Sequence, residues 1–213
     1  KEIPDCDGII GGPPCQSWSA FGKQTGMQDS RGKLFNDYIR IIAEKQPAFF
    51  FAENVKGLMF KKQSKSVTKI MKAFTELGYN VSYGIFNTFN FNVPQNRLRV
   101  IIIGYATSFR EFFEPPKFAR QNLNLKNSIY DLRKTAVPAL RKYKPNPKVK
   151  ISNHEYMTGN FSSHYMSRNR IKPWTEPSFT IQASGRHAPC HPDSGSMQKV
   201  AKDVCKFTNP KRV

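Results

Sequence analysis

Short apolar runs alternate with amphipathic stretches through the first half of the chain, and that alternation leaves few folds open. Residues 5–10, Asp5-Cys6-Asp7-Gly8-Ile9-Ile10, predict a short buried strand, stopped by the turn that Gly11-Gly12-Pro13-Pro14 imposes. Leu34, Tyr38, Ile41 and Ile42 recur at helical spacing and predict a helix over 33–45. Ala48 to Ala52 follows a proline, contains no polar side chain and predicts a second buried strand. Val67, Ile70, Met71, Phe74 and Leu77 predict a second amphipathic helix, ended by Gly78. Residues 79–87 alternate as a strand does, and Val100 to Ile103, closed by Gly104, predict another. Strands separated by helices of this length imply an α/β sheet.

The alternation runs out near residue 115, and Pro115-Pro116 marks a boundary. Residues 1–117 therefore form one expected domain and 118–213 a second, smaller, irregular and partly β domain rich in Asn, Lys, Arg and Pro. Arg141 to Lys150 reads as an exposed basic loop. With 34 Lys and Arg against 15 Asp and Glu, the chain carries +19 and suits a polyanion such as nucleic acid, an acidic protein being the other partner of that charge. Cys6, Cys15, Cys190 and Cys205 form no paired C-x-x-C units, so no disulfide framework is expected. His187, Cys190 and His191 match no structural metal spacing, and no metal is expected. No apolar run reaches the roughly 18 residues that span a bilayer, and the first residues are not a signal peptide; a cytoplasmic protein is expected.

Three segments carry candidate chemistry. Cys15, in Gly12-Pro13-Pro14-Cys15-Gln16-Ser17, follows the carboxyl end of the first strand, where open α/β sheets bind ligands; a rigid loop there suits a nucleophile, although a small buried cysteine leaves the same trace. Glu53, in Ala52-Glu53-Asn54-Val55, ends an apolar run and is expected to be partly desolvated, which favours a proton-carrying carboxyl; a helix cap or loop carboxylate is the plainer alternative. Arg97 and Arg99, in Gln95-Asn96-Arg97-Leu98-Arg99, share a face if the segment is extended and can hold a carbonyl or phosphate, or simply mark a charged strand edge.

Taken in order, Gly-Pro-Pro-Cys-Gln-Ser, Arg31-Gly32-Lys33-Leu34-Phe35, Glu-Asn-Val and Gln-x-Arg-x-Arg resemble the ordered motifs of the DNA (cytosine-5)-methyltransferases. His154-Glu155-Tyr156, Ser167-Arg168-Asn169-Arg170 and Phe179-Thr180-Ile181-Gln182-Ala183-Ser184-Gly185-Arg186 resemble the target-recognition segment of the bacterial enzymes that modify GGCC. The resemblance covers nearly the whole chain. It implies an incomplete Rossmann-like methyltransferase sheet followed by a target-recognition domain.

It also implies a reaction. S-adenosylmethionine supplies a methyl group to C5 of a cytosine rotated out of duplex DNA, after Cys15 adds to C6. Glu53 protonates N3, Arg97 binds the ring's O2, and Arg99 orients Glu53 or the loop. Gln16, Ser17 and Ser19 approach the DNA, and Arg168, Arg170 and Arg186 read bases. Pro13, Leu34 and Phe35 line one wall of the methyl donor's site. The family's opening Phe-x-Gly-x-Gly segment, its adenosine-binding acid and its last motif have no counterpart in these residues, so a piece of a longer protein or one part of a split enzyme is expected. A DNA-binding fragment without activity and a tRNA cytosine-5 methyltransferase are the competing readings. An acyl-transferring cysteine enzyme is weaker, because all four histidines lie beyond residue 118.

Overall fold

The computed structural model describes residues 3–13, 30–116, 123–140, 146–151, 154–156, 171–181, 191–194, 197–201 and 204–207. Contacts divide the chain into two compact units, Lys1–Asn87 with Leu98–Lys117, and Thr88–Arg97 with Phe118–Val213.

Along the first unit run β1 (Gly8–Gly11), α1 (Ser30–Lys45), β2 (Phe49–Val55), α2 (Ser64–Glu76) and β3 (Tyr79–Asn87); β4 (Gln95–Asn96) belongs to the second unit, and β5 (Leu98–Ala106) returns to the first. The sheet order is β1-β2-β5-β3. β1 and β2 are parallel, which requires a crossover, and α1 supplies it. β5 runs antiparallel to β2 and β3, so the sheet is mixed.

Burial alternates strictly along β2. Phe50, Ala52 and Asn54 point to one side with Val100 and Ile102 of β5, beneath Phe35, Tyr38 and Ile42 of α1 and Val67, Ile70 and Phe74 of α2. Phe50 centres this core, 4.2 Å from the Phe74 ring and 5.2 Å from the Tyr79 ring. Opposite it in the ladder stands Gly104, where any Cβ would fall inside the Phe50 ring. α2 gives way to a turn at Gly78, whose φ of +89° suits glycine, and the amide of Leu77 closes the last turn on the Ala73 carbonyl.

Two expectations are corrected. Residues 5–10 are not a buried strand: β1 starts at Gly8, lies at the sheet's edge among the described residues and leaves Ile10 74% exposed. Ile10 pairs with Phe51, on the face away from both helices. The segment around Arg97 is not one extended strand. Thr88 donates its amide to the Arg97 carbonyl and its hydroxyl to the Gln95 carbonyl, folding residues 88–97 into a loop of the second unit.

The second unit is assembled from short pieces: α3 (Leu125–Ile129), β6 (Val137–Pro138), β7 (Glu155–Tyr156), β8 (Ser178–Phe179), β9 (Met197–Ala201) and β10 (Val204–Phe207). β4 pairs with β8, β6 with β7, and β9 with β10. Trp174 packs edge-on against Tyr130 at 5.0 Å and His191 at 5.3 Å, and its indole N–H donates to Asp193 at 2.6 Å. Buried His191 is thus a packing residue, while His187 and Cys190 lie outside the described residues. Among the described residues no cluster of His, Cys, Asp and Glu could hold a metal, and no helix is long and apolar enough to cross a membrane.

Candidate active site

The parallel pairing of β1 with β2 decides what meets at the ends of these strands. Gly11 stands opposite Ala52, so Gly12 and Pro13 emerge beside Glu53 and Asn54. A Cβ on Gly12 would lie 3.7 Å from Glu53 Oε2. Neighbouring residues of a strand point to opposite faces, and the two polar side chains divide the work accordingly.

Asn54 turns into the core and is 1% exposed. Its Nδ2 donates to the Pro13 carbonyl at 3.1 Å, and its Oδ1 accepts the Val55 amide at 2.9 Å. A buried amide without partners is costly, and here both ends are satisfied. The bond joins β2 to the buried Pro13, two residues before Cys15.

Glu53 turns to the other face, where its side chain is 37% exposed. Arg99 stands opposite Val55 in β5, which makes it the diagonal neighbour of Glu53 on the same face. Its Nε lies 2.5 Å from Glu53 Oε1, and its Nη1 donates to the Leu98 carbonyl at 2.8 Å. A guanidinium held at two points fixes the carboxyl's orientation through one oxygen, while the other lies on the Gly12 side.

Tyr38 braces this arrangement from α1. Its hydroxyl lies 2.8 Å from the Phe51 carbonyl and 3.2 Å from the Ile9 carbonyl, bridging β2 and β1 just before the site. Burial pushes the phenol well above its ordinary range, so it remains a neutral donor.

Pro13, Glu53 and Arg99 therefore come together, whereas Arg97 belongs to the second unit. Leu34 is 43% exposed on α1. Phe35 is fully buried and packs against Tyr38 and Phe74. Cys15, Gln16, Ser17, Ser19, Arg168, Arg170 and Arg186 lie outside the described residues. Asn54 is the residue that motif reading passed over. Its signal was present: by period two it shares the core face with Phe50 and Ala52, and an amide there needs a partner. In the second unit, β4 and β8 bring Gln95-Asn96 beside Ser178-Phe179, and Thr180 donates its hydroxyl to the Asn96 carbonyl at 3.0 Å.

The family model for C-5 cytosine-specific DNA methylases matches residues 1–212. The chain belongs to that family. Among curated relatives, the Type II methyltransferase M.MthTI of Methanothermobacter thermautotrophicus is 48% identical over 95% of this chain and 62% of its own length. M.FnuDI of Fusobacterium nucleatum is 46% identical over 97% and 61%, and M.NgoPII of Neisseria gonorrhoeae 44% identical over 97% and 62%. The chain thus spans about three-fifths of the length of these relatives. In fold it is similar to a protein described as a DNA modification methyltransferase encoded within an E. coli prophage, with a TM-score of 0.61 and 21% identity over 89% of this chain and 64% of that one. It is also similar to Spodoptera frugiperda DNMT2, with a TM-score of 0.52 and 17% identity over 84% and 50%. These folds share the α/β architecture described above.

Proposed function

We propose that this chain carries the cytosine-binding and nucleophile-bearing part of a DNA (cytosine-5)-methyltransferase of a restriction–modification system, together with its target-recognition domain. The observation that carries the reading is the meeting of three separated segments, Gly12-Pro13, Glu53-Asn54 and Arg99, through the Asn54–Pro13 hydrogen bond and the Glu53–Arg99 ion pair. Cys15 follows two residues after Pro13 in the sequence.

The Cys15 thiolate adds to C6 of cytosine, and Glu53 delivers a proton to N3, so the ring's electrons become an enamine with a nucleophilic C5. Arg99 holds the Glu53 carboxyl in place for that transfer. Arg97 binds O2 as charge develops there. S-adenosylmethionine, when bound, supplies the methyl group that C5 takes. A base then takes the C5 proton, the electrons of that C–H bond expel the Cys15 thiolate, and the N3 proton returns to Glu53. Of the three expected donor contacts, Leu34 offers exposed apolar surface, Pro13 is buried with its carbonyl engaged, and Phe35 offers none; the described residues fit one contact rather than a closed site.

C6 is inaccessible in a stacked duplex, so the base rotates out, at a cost of a few kcal/mol that contacts by Gln16, Ser17 and Ser19 would offset. Arg168, Arg170 and Arg186 are assigned to guanines of GGCC, because Arg binds O6 and N7 bidentately in the major groove. The resemblance of residues 154–186 to the recognition segments of GGCC enzymes supports that target.

The test is a covalent trap. The chain and its Cys15→Ser variant are incubated with S-adenosylmethionine and a GGCC duplex carrying 5-fluorocytosine, then examined by denaturing mass spectrometry. An adduct that needs both Cys15 and the methyl donor is expected. DNA binding without any adduct would leave recognition intact and reject catalysis by this chain.

A further inference from the structure

The second unit carries a basic cleft whose described lining residues have no role assigned above. It encloses about 690 Å³ and is lined by Val137, Val149 and Ile151 together with Lys148, Lys150 and His154. Lys148 and Lys150 are exposed but sit on a built turn. The Asn146 amide donates to Oε1 of Glu155 at 2.6 Å, and Glu155 is only 3% exposed. The Asn146 side chain in turn accepts the Lys148 amide at 2.9 Å, and the Val149 amide donates to the Asn146 carbonyl at 3.4 Å. A turn fixed at three points presents its ammonium groups with part of the ordering entropy already spent. His154 is set by a 2.8 Å hydrogen bond with Thr135, which also lines the cleft.

We propose that this cleft seats the sugar–phosphate backbone of duplex DNA through Lys148 and Lys150. The inference rests on the DNA-methyltransferase reading. The apolar lining suits the face of a deoxyribose. Two lysines suit successive phosphates, since ammonium groups act as point charges and not as forked readers of base edges. A chain of net charge +19 supplies the long-range field that brings the duplex in.

The experiment measures the affinity of the full chain for a GGCC duplex and for an unrelated duplex of equal length, across a salt series. The Lys148→Ala/Lys150→Ala variant is compared with unaltered protein and with Lys61→Ala/Lys62→Ala, which removes two exposed charges from the first unit. The expected result is a slope of log affinity against log salt that falls by about two, with equal loss on both duplexes. The first-unit variant should keep the original slope. Lys148→Gln/Lys150→Gln keeps the aliphatic stems and should match the alanine pair, which separates charge from folding. An unchanged slope overturns the inference alone, as does a loss confined to the GGCC duplex, which would make the lysines base readers. Failure of the unaltered chain to bind any duplex, or selective binding of an acidic polypeptide, overturns both this inference and the DNA reading.

Discussion

Glu53 and Asn54 are consecutive, yet the pleat of β2 gives them opposite environments and opposite work. Asn54 is structural: with both amide ends used inside the core, Asn54→Ala leaves the Pro13 carbonyl and the Val55 amide without their partner. Removing one partner of a buried hydrogen bond costs about 1–3 kcal/mol, and urea denaturation should show a loss of that size. The Glu53–Arg99 pair behaves differently. Its carboxylate is 37% exposed, so solvent screens the pair and its removal should change stability by less than about 1 kcal/mol. Arg99→Ala should nevertheless slow trapping of 5-fluorocytosine by about a hundredfold, the scale of losing one charge-directed group at a reacting centre. A drop in melting temperature as large as that of Asn54→Ala would make Arg99 a stability residue and remove its assigned role.

At the scale of elements, the strand and helix order was legible because each apolar run is bounded by Gly, Pro or charge. Tyr79–Asn87 forms as its alternation predicts. The limits of the others shift where the ladder continues past the punctuation. β5 runs through Arg99 and Gly104, since main-chain pairing with β2 does not depend on those side chains. Edge position was not legible, because a strand's burial depends on neighbours that its own sequence does not contain; hence Ile10. The loop formed by residues 88–97 was hidden for a similar reason, being closed by the Thr88 side chain. Gly11 supplies a test of how α1 holds β1. A Cβ there would approach Tyr38 Cε2 to 2.6 Å, so Gly11→Ala forces the ring away. Overpacking of this kind costs about 1–3 kcal/mol. Tyr38→Phe keeps the clash but removes the hydroxyl bridge to Phe51 and Ile9, at about 0.5–1.5 kcal/mol. Because both changes act on one ring, their effects should not add in a double-mutant cycle; strict additivity would show that Gly11 and Tyr38 do not share a contact.

Over the whole molecule, charge and specificity are separate quantities. A net charge of +19 favours any duplex, so affinity by itself says little about target choice. On the proposed reading, specificity comes from forked donors at base edges, for which segment 167–170, Ser-Arg-Asn-Arg, offers two arginines. Arg170→Ala is therefore expected to weaken binding to GGCC by about 1–3 kcal/mol while barely altering binding to a duplex in which one of the guanines is replaced. The Lys148 and Lys150 changes should weaken both duplexes alike. Competition between the two duplexes at fixed salt measures the difference directly. If Arg170→Ala lowers affinity for both by the same factor, that arginine contacts phosphate, and the reading of GGCC must rest on other side chains of the recognition domain.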